Sequence, residues 1–543
     1  MRQLIILLLV FSFAQAFAQV APNKYLLRFT DKAHTAYELA KPEEFLTQRA
    51  LERRSRFGIA VDSTDLPIDQ NYVQGVKNTG AKLIIQVKWI NALLIETESS
   101  EVLDAIRNLS YVVDIDTVNK RVSAFKSIDK FALEQNSSEF KSGQGDEVYG
   151  NAFNQIDMIN GIALHEAGFK GKGIVIGVLD AGFINTDIRT IFKSLWDNNQ
   201  ILGSRNFVNP SEDVFRYNSH GTSVLSIMGG QLPGLYLGSA PEADYWLLLT
   251  EETGSEALIE EYNWIAGAAF ADSVGVDIIN SSLGYTEFDN PIYDHAYSDL
   301  DGNTTEVTNA ADLAAAKGIL VVNSAGNSGN DPWKYIIAPA DGDSVLAVGA
   351  VGPDGIITTF SSYGFDWASQ VKPNIVGQGG STALTSISTD EIITGNGTSY
   401  SSPLIAGMMA CLWQSKPFAT NIELIHAVEE SASRFSNPDY QYGHGIPDFF
   451  AAQLSIAVIE KPNLDYHIRI QPNPVSNRLH IQWDQTSFNW LELLDMQGRI
   501  LIKHELNNFE TQVNLSIESY KNGIYFLRLS NEKQVITRKI IKI

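Results

Sequence analysis

GIVIGVLDAGF, residues 173–183, contains an apolar run that stops at a carboxylate, Asp180. Side chains of a β-strand alternate between two faces, so a strand that is apolar at nearly every position is predicted to be buried on both. Similar runs occur at residues 243–250, 276–280, 318–326 and 343–351. Helical stretches lie between these runs, and the alternation predicts an α/β fold with a parallel sheet flanked by helices. In such a fold, functional residues are expected at the carboxyl ends of the strands.

Regions of different texture flank the α/β part. Residues 24–118 show strand and helix patterns in the order βαββαβ, once a weaker helical pattern is set aside, and this order predicts a small α+β module of the ferredoxin-like kind. Residues 466–543 show seven short strand patterns separated by Asn, Gly and Asp turns, which predict a β-sandwich. The predicted boundaries are 1–18 for a signal peptide, 19–118 for the N-terminal module, 119–150 for a polar linker, 151–458 for the α/β domain and 466–543 for the sandwich.

The first 18 residues predict export. Arg2 precedes an apolar stretch at residues 4–13, and Ala16 and Ala18 form a small-x-small cleavage site. A membrane anchor is the alternative, but the unbroken apolar stretch is shorter than a spanning helix of about 20 residues. No later segment reaches that length, so no transmembrane segment is predicted, and the mature protein is expected to be soluble or attached to a surface.

Charge and cysteine content argue against nucleic-acid binding and against disulfide or thiol chemistry within the chain. The 543-residue chain has a formal net charge of −23 and a pI near 4.8, which argues against a nucleic-acid partner because such proteins display a basic face. Cys411 is the only cysteine, so no disulfide can form within the chain. Its position within MMACLW predicts a small buried packing residue and not a nucleophile.

Three polar residues stand at predicted element ends. Asp180 closes a buried strand, His220 precedes a helical run in NSHGTSV, and Ser399 begins another in GNGTSYSSP, with Pro403 in or near the first turn. Taken singly, each has a structural alternative: a turn cap, a helix-start residue and an N-cap. Taken together, they offer a carboxylate to hold an imidazole, an imidazole to accept a proton and a hydroxyl to attack a carbonyl. A helix N-terminus also supplies backbone N–H groups that stabilise an oxyanion.

The segments around these residues resemble the subtilisin-like serine peptidases, or subtilases. The resemblance covers about 151–458 and rests on VLDAG, NSHGTSV, VVNSAGN and GTSYSSP, in the chain order Asp, His, Ser. It implies that Ser399 is the nucleophile, that His220 is the general base and that Asp180 fixes the imidazole tautomer. It also implies that the side-chain amide of Asn327 and the N–H of Ser399 form the oxyanion hole. The expected activity is that of a serine endopeptidase acting on exposed or unfolded polypeptides, with no cofactor required for the chemistry.

The same resemblance bears on substrate binding. NSSLGY, residues 280–285, is similar to the family's substrate-lining strand, in which Ser282, Leu283 and Gly284 would pair with an extended peptide. A plain buried strand end is the alternative. Tyr400 stands where many members carry methionine, and this departure leaves the side-chain preference open, although Ile337 and Ala338 are predicted to shape the floor of the pocket.

One acidic stretch raises the question of calcium. SDLDGNT, residues 298–304, gathers Asp299 and Asp301 beside a glycine, but it lacks the spacing of a twelve-residue calcium loop. A solvated acidic loop is the favoured interpretation. A structural calcium ion elsewhere would nevertheless suit a secreted, disulfide-free subtilase.

The N-terminal module resembles the subtilase prosegment in its position and strand order. This resemblance implies a folding chaperone and intramolecular inhibitor, with maturation by self-cleavage within 119–150. ERRSR, residues 52–56, could be taken for a basic cleavage site. It lies inside a predicted helix, so we expect it to form a solvated face.

The C-terminal sandwich resembles the sorting domain of Bacteroidetes-type secreted proteins. The similarity rests on QPNPVSNRLHI, LLDMQGRI, NGIYFLRLS and TRKIIKI. It implies export across the outer membrane by the type IX secretion machinery, removal of the domain, and release or surface attachment. The alternatives are a non-catalytic peptide-binding protein that keeps the subtilase fold, and an adhesin in which the sandwich binds glycan or protein.

Overall fold

The computed structural model describes residues 24–119, 131, 147–366, 370–456, 468–483, 488–495, 499–507, 510–531 and 535–543. The chain divides into two compact units, Met1–Ala457 and Val458–Ile543. The predicted signal peptide and most of the predicted linker lie outside the described residues. The predicted domain boundaries stay predictions.

The N-terminal module is an antiparallel sheet with helices on one face. Its elements are β1 (Lys24–Phe29), α1 (Gln48–Phe57), α2 (Gln70–Asn78), β2 (Lys82–Val87), β3 (Ala92–Glu96), α3 (Ser100–Arg107) and β4 (Val112–Asn119). The strand order is β2-β3-β1-β4. Leu27 and Leu93 pack with apolar residues of α2 and α3, whereas Leu26 and Leu94 pack into the core of the α/β domain. Both faces of the sheet are therefore covered, and the predicted βαββαβ order is confirmed.

The α/β domain follows in the same unit. Its elements are α4 (Phe153–Asp157), α5 (Gly161–Glu166), β5 (Val175–Asp180), α6 (Lys193–Asp197), β6 (Ile201–Asn206), α7 (His220–Gly229), β7 (Gln231–Leu232), β8 (Tyr236–Leu237), β9 (Asp244–Leu249), α8 (Ile259–Val274), β10 (Ile278–Ser281), α9 (Glu306–Ala316), β11 (Leu320–Ser324), β12 (Val345–Val351), β13 (Ile375–Gln378), β14 (Thr382–Thr385), β15 (Ile392–Gly395), α10 (Thr398–Ser415), α11 (Asn421–Ser431) and α12 (Phe449–Ser455).

A seven-stranded parallel sheet organises this domain, in the order β13-β12-β11-β10-β5-β9-β6. Helices α7 and α10 pack on one face, and α8 and α9 pack on the other. β5 and β12 are buried at every position because helices cover both faces. The predicted α/β fold is confirmed. Cys411 lies buried in α10 as predicted, and burial raises the pKa of its thiol well above the usual range.

The prediction that ERRSR, in helix α1, forms a solvated face is wrong for two of its arginines. Arg53 and Arg54 are buried, not solvated, because α1 packs against the end of α8. Both guanidinium groups bind Asp272, and Arg54 also forms a bidentate pair with Asp65 at 2.8 and 3.0 Å. Lys317 of the α/β domain reaches the same Asp65 carboxylate at 2.9 Å. These five residues form an ionic cluster between the N-terminal module and the α/β domain.

The second unit is a β-sandwich. Its strands are β16 (Arg469–Gln471), β17 (Arg478–Gln482), β18 (Trp490–Leu494), β19 (Ile500–Glu505), β20 (Gln512–Ser516), β21 (Gly523–Ser530) and β22 (Val535–Lys542). They form a three-stranded sheet, β16-β17-β20, and a four-stranded sheet, β19-β18-β21-β22. Leu479 and Ile481 of the first sheet share one core with Leu493 and Leu527 of the second, so the predicted sandwich is confirmed.

Among the described residues, no helix is both long and apolar enough to span a bilayer.

Candidate active site

The site begins at the carboxyl end of β5, where Asp180 is fully buried. Its Oδ1 atom accepts hydrogen bonds from the backbone N–H of Ala181 and from His220 Nδ1, each at 2.7 Å. A buried carboxylate needs such partners to offset the loss of water. These bonds fix Asp180 and leave the second imidazole nitrogen of His220 as the one that can exchange a proton with a substrate or nucleophile.

His220 is the first residue of α7, and its backbone N–H donates to Asn218 Oδ1 at 2.8 Å. The following glycine makes the close approach of this helix to β5 possible. A Cβ atom at Gly221 would lie 2.5 Å from Gly182 O and 3.0 Å from Asp180 Cβ. Any side chain at this position would therefore push the imidazole away from its carboxylate.

Ser399 lies in the first turn of α10 and is almost fully buried, with 3% of its surface exposed. Pro403 lies in the second turn, slightly later than predicted, and cannot donate a helical hydrogen bond to the carbonyl of Ser399. That carbonyl instead accepts a hydrogen bond from Ser282 Oγ at 2.9 Å. Ser402 supports this arrangement through Asn280, whose amide donates to Ser282 Oγ at 3.3 Å. A proline and three polar side chains thus hold the backbone at Ser399 in place.

The structure brings the three predicted residues into the same region. Asp180 and His220 are joined by a hydrogen bond, and the ring of Tyr400, next to Ser399, lies 6.2 Å from the imidazole, centroid to centroid. The Ser399 hydroxyl also donates to the carbonyl of Ser282 at 3.4 Å. A cavity of about 150 Å³ opens in front of Ser399. Its walls include Ser282, Leu283, Gly284, Ser324, Gly326, Asn327, Ile337 and Thr398.

Asn327 is held with its amide in a defined orientation. Its Oδ1 atom accepts hydrogen bonds from the backbone N–H of Thr398 at 2.8 Å and from Thr398 Oγ1 at 2.9 Å. The NH₂ end is consequently the one that Thr398 does not engage, and it is the end that can donate to a substrate oxygen. Thr398 was not identified from the sequence as a functional residue, although it stands in the GTSYSSP motif.

The predicted substrate-lining residues border the cavity. Leu283 O accepts a hydrogen bond from Asn323 Nδ2 at 3.0 Å, which anchors the strand to its neighbour β11. The absence of a side chain at Gly284 makes room for Ile337, because a Cβ atom there would lie 2.3 Å from Ile337 Cδ1. Ile337 lines the cavity as predicted, while Ala338 pairs with Tyr285 through the backbone.

Comparison with known proteins identifies the family. The model of the subtilase family matches residues 171–445, half of the chain. The chain belongs to the subtilase family. It is therefore a serine endopeptidase, as predicted. The remaining matches are a peptidase S8 propeptide domain of Bacteroidota at residues 24–136 and a secretion-system C-terminal sorting domain at residues 469–543. Both predicted resemblances are thus confirmed, and the sorting domain implies type IX export of this subtilase to the cell surface or the medium.

Several characterised relatives align with the subtilase. Subtilisin DY of Bacillus licheniformis is 27% identical over 305 residues, which cover 55% of this chain and 97% of the relative. Subtilisin E of Bacillus subtilis (strain 168) is 29% identical over 307 residues, which cover 55% of this chain and 70% of the relative. A crystal structure of MycP1 from Mycobacterium smegmatis is 18% identical with a TM-score of 0.45, covering 59% of this chain and 89% of that chain.

Acidic side chains that were not predicted also border the cleft of this subtilase. Glu251 and Glu256 line the cavity, and with Glu260 they place one carboxylate oxygen each within 4.8 Å of one another. The Tyr285 hydroxyl donates to Glu251 at 2.9 Å, and burial raises the pKa of that tyrosine. Glu260 accepts hydrogen bonds from two backbone N–H groups. Within the described residues, these three are the group whose donor atoms could hold a metal ion.

The acidic loop at 298–304 is organised by its own hydrogen bonds. Asp299 accepts from the backbone N–H of Ala296 at 2.8 Å, and Asp301 accepts from the N–H of Asn303 at 2.9 Å and from Thr304 Oγ1 at 3.0 Å. These carboxylates stabilise turns of the loop. Calcium binding by the subtilase stays a prediction.

Phe131 contributes a contact that the sequence did not reveal. It is the one described residue between 119 and 147, and it lies within the predicted maturation region and within the matched propeptide. Its ring stacks on the imidazole of His220, with centroids 4.1 Å apart and planes inclined by 26°. Phe131 also lines the cavity in front of Ser399.

Proposed function

We propose that this subtilase is made as an inactive precursor that removes its own prosegment and then hydrolyses peptide bonds in other polypeptides through Asp180, His220 and Ser399. The observation that supports this most directly is the 2.7 Å hydrogen bond between His220 Nδ1 and Asp180, together with the position of Ser399 in the first turn of a buried helix.

In the proposed mechanism, Ser399 Oγ attacks the carbonyl carbon of the scissile bond while His220 accepts the hydroxyl proton at its second ring nitrogen. Asp180 keeps the Nδ1 proton in place and stabilises the imidazolium that forms. His220 then gives the proton to the departing amine, and the acyl-enzyme remains on Ser399. A water molecule, activated by the same imidazole, hydrolyses that ester and regenerates the hydroxyl.

The oxyanion of each tetrahedral intermediate is stabilised by the Asn327 amide and by the backbone N–H of Ser399. Thr398 holds the oxygen of the Asn327 amide by two hydrogen bonds. The NH₂ group of Asn327 therefore needs little reorganisation as negative charge develops on the substrate oxygen. This preorganisation favours the transition state over the ground state, which is what accelerates the reaction.

Substrates bind, we propose, as an extended strand along Ser282, Leu283 and Gly284. Backbone pairing of this kind accepts many sequences, so the enzyme acts on exposed or unfolded polypeptides. Before maturation the prosegment acts as the intramolecular inhibitor, since its sheet packs on α8 and α9 and Phe131 lies in the cleft. No step of this chemistry uses a cofactor. A structural calcium ion would show itself as a loss of thermal stability on chelation that calcium restores and magnesium does not.

A fluorophosphonate probe tests the catalytic part of the proposal, because it reacts covalently only with an activated serine. We expect one adduct on the mature enzyme, located at Ser399 by peptide mass spectrometry, and none in the Ser399→Ala variant. A native enzyme that binds peptide but takes up no probe would favour the alternative of a non-catalytic peptide-binding protein.

The role of the sandwich is tested separately. Deletion of residues 466–543 should retain the protein inside cells of a native host, because the sorting domain addresses it to the type IX machinery. Unchanged secretion, accompanied by loss of adhesion to glycan or protein surfaces, would favour the adhesin alternative. Mass spectrometry of the secreted form would show whether the domain is removed and whether the enzyme is released or surface-attached.

A further inference from the structure

The aromatic ring of Phe131 stacks on the imidazole ring of His220. An aromatic ring 4.1 Å from the imidazole and inclined by 26° covers one face of the group that we propose as the general base. Stacked rings of this kind gain about 0.5–1.5 kcal/mol beyond the burial of apolar area, which corresponds to roughly a two- to tenfold effect. An aliphatic side chain of similar size would bury comparable area but would not supply this stacking contribution.

The position of Phe131 is that of a ligand. It is separated from β4 by more than ten residues of chain, it belongs to the region matched by the propeptide family, and it shares a cavity with the nucleophile. Leu283 and Ile337 make part of that cavity apolar, while the imidazole of His220 is held rigidly by Asp180. The ring of Phe131 thus stacks on the rigidly held imidazole and lines the same cavity as Leu283 and Ile337.

We infer that the face of the His220 imidazole is a specificity subsite for an aromatic side chain, and that Phe131 occupies this subsite in the precursor. This inference rests on the proposed function, and it adds the preferred substrate class: peptides with Phe, Tyr or Trp at the residue that lies on His220. The same contact explains how the precursor is restrained, because a ring at this position excludes substrates from the general base.

The first test uses the full-length chain. Phe131→Leu keeps apolar bulk but removes the stacking ring, and Phe131→Tyr keeps the ring. We expect the Leu variant to react with a fluorophosphonate probe roughly two to ten times faster than the wild-type precursor, before any cleavage, and we expect the Tyr variant to match the wild type. Phe435→Leu is the matched control, because Phe435 contacts the ring of His444 at 5.5 Å outside the cleft. Equal probe rates for the Leu variant, the Tyr variant and the wild type would overturn the assignment of Phe131.

The second test uses the mature enzyme and a peptide library in which one position at a time is varied. We expect kcat/KM at a single position to be roughly two- to tenfold higher for Phe or Tyr than for Leu. A library cleaved without an aromatic preference at any position would overturn the subsite while leaving the proposed peptidase function intact. A mature enzyme that neither cleaves the library nor takes up the probe would instead contradict the proposed function itself.

Discussion

The catalytic cleft and the ionic cluster beneath α1 both bury charged groups, but they differ in what happens to them at maturation. In the cleft, Asp180 and His220 belong to the same domain, so their bond stays within the mature enzyme. In the ionic cluster, Asp272 and Lys317 of the α/β domain are paired with Arg53, Arg54 and Asp65 of the prosegment.

Loss of the prosegment therefore exposes the cluster and removes both guanidinium partners of Asp272, while the hydrogen bond between Asp180 and His220 stays in place. While the prosegment is bound these charges are buried, and removing one partner is costly because the other charge is left without compensation. The catalytic hydrogen bond is therefore expected to persist through cleavage, whereas the ionic cluster exists only while the prosegment is bound.

The largest expected effect comes from the cleft. Ser399→Ala removes the attacking hydroxyl, and we expect kcat for peptide hydrolysis to fall about a millionfold, the size measured for removal of the nucleophile of subtilisin, a member of this family. The prosegment should also stay attached, which gel electrophoresis and mass spectrometry would show. A mature-sized Ser399→Ala protein from a protease-deficient host would contradict self-cleavage.

A substitution in the ionic cluster should act on stability, and only in the precursor. Arg54→Gln, made in the Ser399→Ala background, leaves Asp65 and Asp272 buried with weaker partners, and we expect the free energy of unfolding to fall by about 3–5 kcal/mol. Denaturation in urea, followed by circular dichroism, measures this difference.

The matched control for Arg54 lies two residues further along the same motif. Arg56 is exposed, so Arg56→Gln should change the unfolding free energy by less than about 0.5 kcal/mol. Two variants with the same small effect would show that the ionic cluster does not contribute to stability, and the contrast between the two regions would disappear.

The oxyanion hole tests the cleft without touching the triad. Asn327→Leu removes the side-chain donor, and we expect kcat to fall about 10²- to 10³-fold with little change in KM, a magnitude taken from the corresponding asparagine of subtilisin. The effect should be confined to the chemistry, so the variant should still be folded by circular dichroism. A rise in KM at constant kcat would assign Asn327 to substrate binding instead.

A pH profile should separate the domain core from the interface. His165 is buried beside Tyr149 and Ser239, and burial lowers the pKa of its imidazole to about 4 from 6.5. Because the unfolded chain takes up this proton at higher pH than the folded chain does, the contribution of His165 is fully present above pH 6.5 and is lost as the pH falls towards 4. We expect a loss of about 2 kcal/mol at pH 5.

His165 belongs to the α/β domain, so the loss of unfolding free energy at pH 5 should be equal in the precursor and in the probe-inhibited mature enzyme. The effect of Arg54→Gln, by contrast, should appear only in the precursor. His165→Gln, which cannot be protonated, should remove this part of the pH dependence, as measured by urea denaturation at pH 5 and pH 7. A loss that persists in the variant would have to come from other titrating groups.

Features that leave a local pattern could be predicted from the sequence. β5 and β12 were predictable because helices cover both of their faces, which enforces continuous apolar runs. β6 was not predicted, because it is an edge strand whose side chains are largely exposed and carry no such pattern. Asp180, His220 and Ser399 each stand in a short motif that requires specific neighbours, such as Gly221 beside the imidazole.

Contacts between segments that are distant in the chain could not be predicted from such local patterns. The partner of Arg53 and Arg54 is Asp272, more than 200 residues away, and nothing in ERRSR itself indicates that α8 covers it. Phe131 lies in a polar stretch without periodicity, so its contact with His220 carried no local signal. Ser282 was predicted to line the substrate strand, but its hydrogen bond to the Ser399 carbonyl depends on the donor that Pro403 lacks.

Thr398 is the residue of this kind with the smallest expected effect. Its hydroxyl supplies one of two hydrogen bonds to Asn327 Oδ1, and its backbone N–H supplies the other, which a side-chain substitution leaves intact. Thr398→Val should remove the hydrogen bond from the hydroxyl and also the one that the backbone N–H of Gly326 donates to Thr398 Oγ1 at 3.2 Å, at about 0.5–1.5 kcal/mol each, so we expect kcat to fall at least about two- to tenfold at nearly constant KM. Thr398→Ser restores the hydroxyl and should recover the wild-type rate. If both variants lose activity equally, the methyl group and its packing would be what matters, and Thr398 would not act by orienting the amide of the oxyanion hole.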